Sequence, residues 1–151
     1  MTTDLTLLPS APNSITSCQN GPEELCWTAA LMGNNTKYNL YVAVVMPDHV
    51  HLILAPLTDV ERQMISPLSE IMKGIKGTAA HAINRQLDRR GSVWLEESFD
   101  HVVRSSESLD AKIEYVLKNP VHKGLVTVPS EYQWTWRRPT APVFPDRNLN
   151  M

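Results

Sequence analysis

Leu40-Tyr41-Val42-Ala43-Val44-Val45-Met46-Pro47-Asp48-His49-Val50-His51-Leu52-Ile53-Leu54-Ala55 spells out a β-hairpin near the middle of the chain. Residues 40–46 are apolar and rich in β-branched side chains, the composition of a buried strand. Pro47-Asp48 carries turn chemistry, residues 49–55 repeat the strand pattern, and Pro56 stops it. Working outward, Ser66-Pro67 is a cap followed by a first-turn proline. Leu68, Ile71, Ile75, Ala79, Ile83 and Leu87 then recur at helical spacing, which predicts a helix to about Arg90 closed by Gly91. Gly74 and Gly77 weaken its interior by roughly 1 kcal/mol each relative to Ala. Residues 98–104 read as a third strand, and Ser106 opens a helix expected to end at Asn119, before Pro120. Upstream, Pro22, Glu23 and Glu24 start a short helix over 22–32 that Gly33-Asn34 can end. Helix, strand, strand, helix, strand, helix predicts an α+β fold, an antiparallel sheet with helices packed on one face.

A length of 151 residues and 42% hydrophobic content suit one domain with one core. Five of the eleven prolines (Pro9, Pro12, Pro139, Pro142, Pro145) lie at the two ends. They mark residues 1–20 and 139–151 as irregular segments around a single domain over 21–138. In the first segment Leu5-Thr6-Leu7-Leu8 is the only strand candidate, cut off by Pro9, so the sheet is expected to be short of a strand at its start. No apolar run is long enough for a transmembrane helix, and the first residues lack a secretory pattern. Cys18 and Cys26 match neither a redox pair nor a zinc knuckle and read as free thiols in a reducing cytoplasm.

Charge argues against a dedicated nucleic-acid binder, since the net is −2. The distribution is uneven, with −4 over residues 1–59 and +2 over residues 60–138. A DNA-facing surface would have to come from local patches, with Lys73, Lys76, Arg85, Arg104, Lys118 and Lys123 as candidates.

Two constellations carry chemistry. His49 and His51, two apart on a strand, project from one face, and two imidazoles beside a tight turn make half of a metal site. Taken alone, the ordinary explanation is two half-exposed strand histidines. On the last helix, Leu109, Ile113, Val116 and Leu117 set the core stripe, while Tyr115 and Asn119 are neighbours four apart, off that stripe. Alone, these read as a surface tyrosine and a helix-terminal asparagine. Together the constellations are complementary. Phosphoryl transfer through tyrosine needs a nucleophilic oxygen, a cation on the phosphate oxygens and ligands to fix that cation. A phenol titrates at about pH 10, so it needs help in losing its proton.

At this point the chain resembles the HUH-type single-tyrosine transposases, and within them the REP-associated tyrosine transposases. The resemblance rests on Met46 to Leu54, on Lys73-Gly74-Ile75-Lys76-Gly77 with Ile83-Asn84-Arg85, and on Val93-Trp94 and Phe99 to Arg104. It continues through Ile113 to Val126 and Tyr132-Gln133-Trp134, covering roughly residues 38–136 in order. It implies a ferredoxin-like sheet and a divalent cation, Mg²⁺ or Mn²⁺, held by His49, His51 and Asn119. It also implies that Tyr115 cleaves single-stranded or hairpin DNA of palindromic repeats, leaving a 5′-phosphotyrosine and a free 3′-hydroxyl. Monomers and homodimers both occur in that family. Two alternatives stay open on the residues alone: a non-catalytic DNA-binding remnant of such an enzyme, and a small hydrolase whose H-x-H zinc site takes a third His, Asp or Glu ligand.

Overall fold

The computed structural model describes residues 2–7, 21–103 and 106–139. Strand β1 spans Thr2–Leu7, helix α1 Pro22–Met32, and strands β2 and β3 Tyr38–Val45 and His49–Pro56. A two-stranded ribbon of β4 (Thr58–Asp59) and β5 (Met64–Ile65) leads to α2 (Leu68–Gln86). Then follow β6 (Trp94–His101), α3 (Ser106–His122), a 3-10 turn (Pro129–Glu131) and β7 (Thr135–Arg137).

The hairpin is as the sequence predicts. Val45 pairs with Val50 across Pro47-Asp48, and the Met46 N–H donates to the His49 carbonyl at 2.7 Å. The main sheet runs β6-β1-β3-β2-β7, and every neighbouring pair is antiparallel. The order β6-β1-β3-β2 with α1 and α2 as crossovers is the ferredoxin-like βαββαβ arrangement. Helix α3 and strand β7 are additions to it.

Five expectations need correction. First, Thr2–Leu7 is not irregular: it is an interior strand, paired with β3 on one side and β6 on the other. Short threonine-rich segments form strands when neighbours on both sides supply the ladder, which a search for apolar alternation overlooks. The rest of that segment, residues 8–20, lies outside the described residues, as do 140–151 of the tail and Arg104.

Second, the helices are on both faces. Leu40, Ala43, Val45, Val50, Leu52 and Leu54 of the hairpin meet Cys26, Ala29 and Ala30 of α1 and Ile71, Met72, Ile75, Ala79 and Ile83 of α2. Val42, Val44, Met46 and Ile53 meet Ile113 and Val116 of α3 on the other side. A bulge between Leu40 and Val42 shifts the alternation of β2, and apolar side chains at successive positions make both faces of the hairpin apolar. That is why residues 40–46 read as a continuous apolar run.

Third, α2 ends at Gln86, four residues early, because Asp88 takes φ 46°, a left-handed conformation that Asp tolerates. Fourth, α3 runs past Asn119 to His122 with Pro120 inside it. In a last turn the proline forfeits a single backbone bond, and the Leu125 N–H still reaches the Pro120 carbonyl at 2.9 Å. The third strand likewise begins earlier than residue 98, at Trp94. Its polar Glu96-Glu97 hid it, since an edge strand needs no apolar run.

Local contacts explain the joints. A side chain at Gly33 would come within 2.5 Å of the Tyr38 ring, whose hydroxyl donates to the Ala30 carbonyl at 2.6 Å. Arg138, just after β7, donates to the Leu40 carbonyl (2.8 Å) and to the side-chain oxygens of Asn34 and Asn35 (2.8 and 2.9 Å). It thereby ties the chain after β7 to the α1–β2 loop. No helix of the described residues is long and apolar enough to cross a membrane.

Candidate active site

His49 and His51 leave β3 on the face covered by α3, as alternation requires, while Val50 between them enters the opposite core. The face is fixed by the register. His51 lies opposite Val44 and two residues before Ile53, and both belong to the cluster under α3. The sequence predicted two partly exposed rings. His51 is instead buried at 9% exposure, and His49 is half-buried at the mouth of the turn.

The rings meet at 89° with Nε2 atoms 2.9 Å apart. Asp48 stands behind His49, its Oδ1 2.5 Å from Nδ1. A carboxylate there favours the tautomer with hydrogen on Nδ1, which turns the Nε2 lone pair of His49 toward His51. Two ligand atoms in adjacent octahedral positions, each about 2.1 Å from a cation, are about 3 Å apart. The spacing of the imidazole nitrogens therefore fits a shared divalent cation. Among the described residues no further His, Cys, Asp or Glu completes a group of three. The hydrolase alternative has no third ligand of that kind in the described part of the site.

Asn119 faces inward. At 7% exposure it is buried one turn after Val116, although its spacing had placed it off the apolar stripe. Its amide nitrogen donates to the Tyr115 carbonyl at 3.3 Å, leaving the amide oxygen as the end suited to a cation. Tyr115 is off the stripe as predicted and 55% exposed. Its ring lies 5.9 Å from the Lys112 ammonium and 6.3 Å from the His122 ring, both on its own helix. The structure thus brings the two imidazoles together, and places Tyr115 and Asn119 on the helix over their face. The ring contacts of Tyr115 are with α3, not with His49 or His51.

The basic candidates separate. Lys73, Lys76 and Arg85 are on α2, on the side of the sheet away from the histidines, while Lys118 and Lys123 are exposed at the end of α3. They do not form one patch. His81 and His101 are exposed, Trp94 is in the core, and Trp134 and Trp136 pack half-buried against the α1–α2 cluster. Sequence reasoning missed Asp48, whose only signal was adjacency to His49. It also missed Arg137, which pairs with Glu114 at 3.0 Å and ties β7 to the tyrosine helix.

The fold is thus an α+β sheet with a histidine pair on one face and a tyrosine-bearing helix over it. The family model described as "Transposase IS200 like" matches residues 21–119, and the chain belongs to that family. A curated protein of Haemophilus influenzae, provisionally named a REP-associated tyrosine transposase, is 25% identical over 118 residues. The match takes in 68% of this chain and 61% of that protein's length, so the chain spans less than two thirds of the relative. A solved REP-associated tyrosine transposase bound to a REP hairpin has the same fold, with a TM-score of 0.65 at 19% identity, over 89% of this chain and 73% of that one.

Proposed function

We propose that this chain cleaves and rejoins single-stranded DNA at hairpins, with Tyr115 as nucleophile and a divalent cation, Mg²⁺ or Mn²⁺, bound by His49, His51 and Asn119. The observation that carries it is the pair of Nε2 atoms 2.9 Å apart on the sheet face covered by the helix of Tyr115. When bound, the cation would supply positive charge to the phosphate oxygens in the transition state. The phenol oxygen attacks the phosphorus, the bond to the 3′-oxygen breaks, and that oxygen leaves as a hydroxyl. The 5′-phosphotyrosine keeps the energy of the broken phosphodiester, so the reverse attack rejoins the strand without ATP. The exposure of Tyr115 suits attack on a polymer that arrives from solvent. The missing strand that would have argued for a non-catalytic remnant is in place as β1.

The test is a labelled single-stranded hairpin oligonucleotide incubated with Mn²⁺. Wild type should give a protein–DNA adduct that resists denaturant. Tyr115→Phe removes one exposed oxygen, so it should fold, bind DNA and give none. Cleavage by the Phe variant at the wild-type rate would refute the tyrosine mechanism. Binding with no adduct from wild type would leave the non-catalytic remnant as the better account.

A further inference from the structure

Helix α3 lies over β2, where Val42, Val44 and Met46 receive Ile113 and Val116. In the sheet β2 has β3, with its histidines, on one side and β7 on the other. At about 100° per residue, Tyr115 and Asn119 leave the Ile113–Val116 stripe on one flank and Glu114 on the other. Glu114 is on the β7 flank, where its Oε1 accepts from Nη1 of Arg137 at 3.0 Å. We propose that Glu114 and Arg137 are positioning residues, an ionic tether that fixes the roll of α3 and so aims the Tyr115 hydroxyl at the histidine side. This rests on the DNA-cleaving function proposed above and goes beyond it to what holds the nucleophile in place.

The ring contacts of Tyr115 are with Lys112 and His122 of its own helix, so the direction of its hydroxyl follows the roll of α3 about its axis. Burial of Ile113 and Val116 is non-directional: it holds the helix down without fixing that roll. A hydrogen-bonded ion pair off the axis, on the flank opposite the nucleophile, does fix it. On a helix with a radius of about 5–6 Å, a roll of about 10° carries a side-chain tip about 1 Å sideways. A misplacement of that size costs up to about 100-fold in rate.

The sheet end of the tether is rigid. Arg137 pairs with Val42, and cross-strand partners share a face, so its side chain rises on the side of α3. Next to it, the Arg138 N–H donates to the Tyr41 carbonyl (2.9 Å) and its guanidinium to the Leu40 carbonyl (2.8 Å). Upstream, the Tyr132 hydroxyl donates to the Val45 carbonyl (2.6 Å) and the Val45 N–H to the Trp134 carbonyl (3.0 Å). Segment 132–138 is thus fastened at both ends to β2, the partner of the strand that carries His49 and His51. The two side chains of the pair are 45% and 51% exposed, which limits the hold on the helix to at most about fivefold in population.

The experiment is single-turnover adduct formation on a labelled single-stranded hairpin with Mn²⁺ and protein in excess, which separates the saturated rate from the half-saturating concentration. Glu114→Gln and Arg137→Gln should each slow the saturated rate about three- to fivefold, while half-saturation moves less than about twofold and the Tm less than about 3 °C. The two together should cost no more than either alone, and Glu114→Arg/Arg137→Glu should recover most of the rate. Glu114→Gln is the sharper variant. A carboxylate acting on the DNA by charge alone would repel it, so its loss would speed the reaction, whereas loss of the tether slows it. An unchanged or faster rate in Glu114→Gln, additive losses, or an Arg137→Gln defect confined to half-saturation overturns the tether while leaving the tyrosine chemistry intact. No adduct from wild type overturns the cleavage function and this proposal with it.

Discussion

Asp48→Ala tests the site at its least obvious member. The Asp48 carboxylate is 2.5 Å from Nδ1 of His49, on the side of the ring away from His51. Outer carboxylates of this kind orient a ligating imidazole and raise its basicity, and their loss costs about 10- to 100-fold in metal affinity. The Asp48 side chain is 76% exposed, so solvent screens it and the lower end of that range applies. Asp48→Ala should therefore weaken Mn²⁺ binding by about tenfold. Asp48→Asn keeps a neutral acceptor of the same shape and should lose only about threefold, a charge-assisted bond being about twice as strong as a neutral one. Neither change should move stability by more than about 0.5 kcal/mol at so exposed a position. Calorimetric titration with Mn²⁺, run beside His51→Ala as the variant that binds none, reads all three. An Asp48→Ala protein that binds Mn²⁺ as tightly as wild type would refute the ring-orienting role. Equal affinity in wild type and His51→Ala would remove the metal site altogether.

Arg138→Ala removes three short hydrogen bonds from a partly buried guanidinium and strips a partner from the Asn34 and Asn35 side chains. A loss of about 2–3 kcal/mol is expected, a fall in Tm of roughly 6–10 °C by circular dichroism, and a shift under about 2 °C would show the staple to be dispensable. Alkaline stability follows from two raised pKa values: burial and Glu23 hold the Cys26 thiol up at about 12, and burial, with Glu23 and Asp48, holds the Tyr132 phenol at about 12. Both groups keep their protons longer in the folded state than the ordinary 9.0 and 10.0. Their contribution is thus complete below about pH 9 and lost as pH rises toward 12, so urea midpoints should be level below about pH 9 and fall above it. Cys26→Ala should flatten part of that fall, and an unchanged slope would exclude the thiol as a cause.

The sequence by itself determined the elements whose period or punctuation is local. The β2–β3 hairpin, the helix from Pro22, the apolar stripe of α2 and the α+β class are all legible from residue spacing and turn chemistry. So are the common face of His49 and His51 and the position of Tyr115 off its helix stripe, because both follow from the repeat of a single element. Tertiary structure alone decided the rest. Thr2–Leu7 is a strand because β3 and β6 flank it, and in its own sequence only Leu5 and Leu7 alternate, too short a period to announce that. The side of the sheet taken by α3 follows from the second apolar face of the hairpin, formed by Val42, Val44, Met46 and Ile53. That choice puts the helix of Tyr115 over the histidines, buries Asn119, and leaves Lys73, Lys76 and Arg85 on the opposite side from the pair. Periodicity reports which side chains share a face of one element. Which faces meet is settled by the packing of elements distant in sequence, where no local pattern records it.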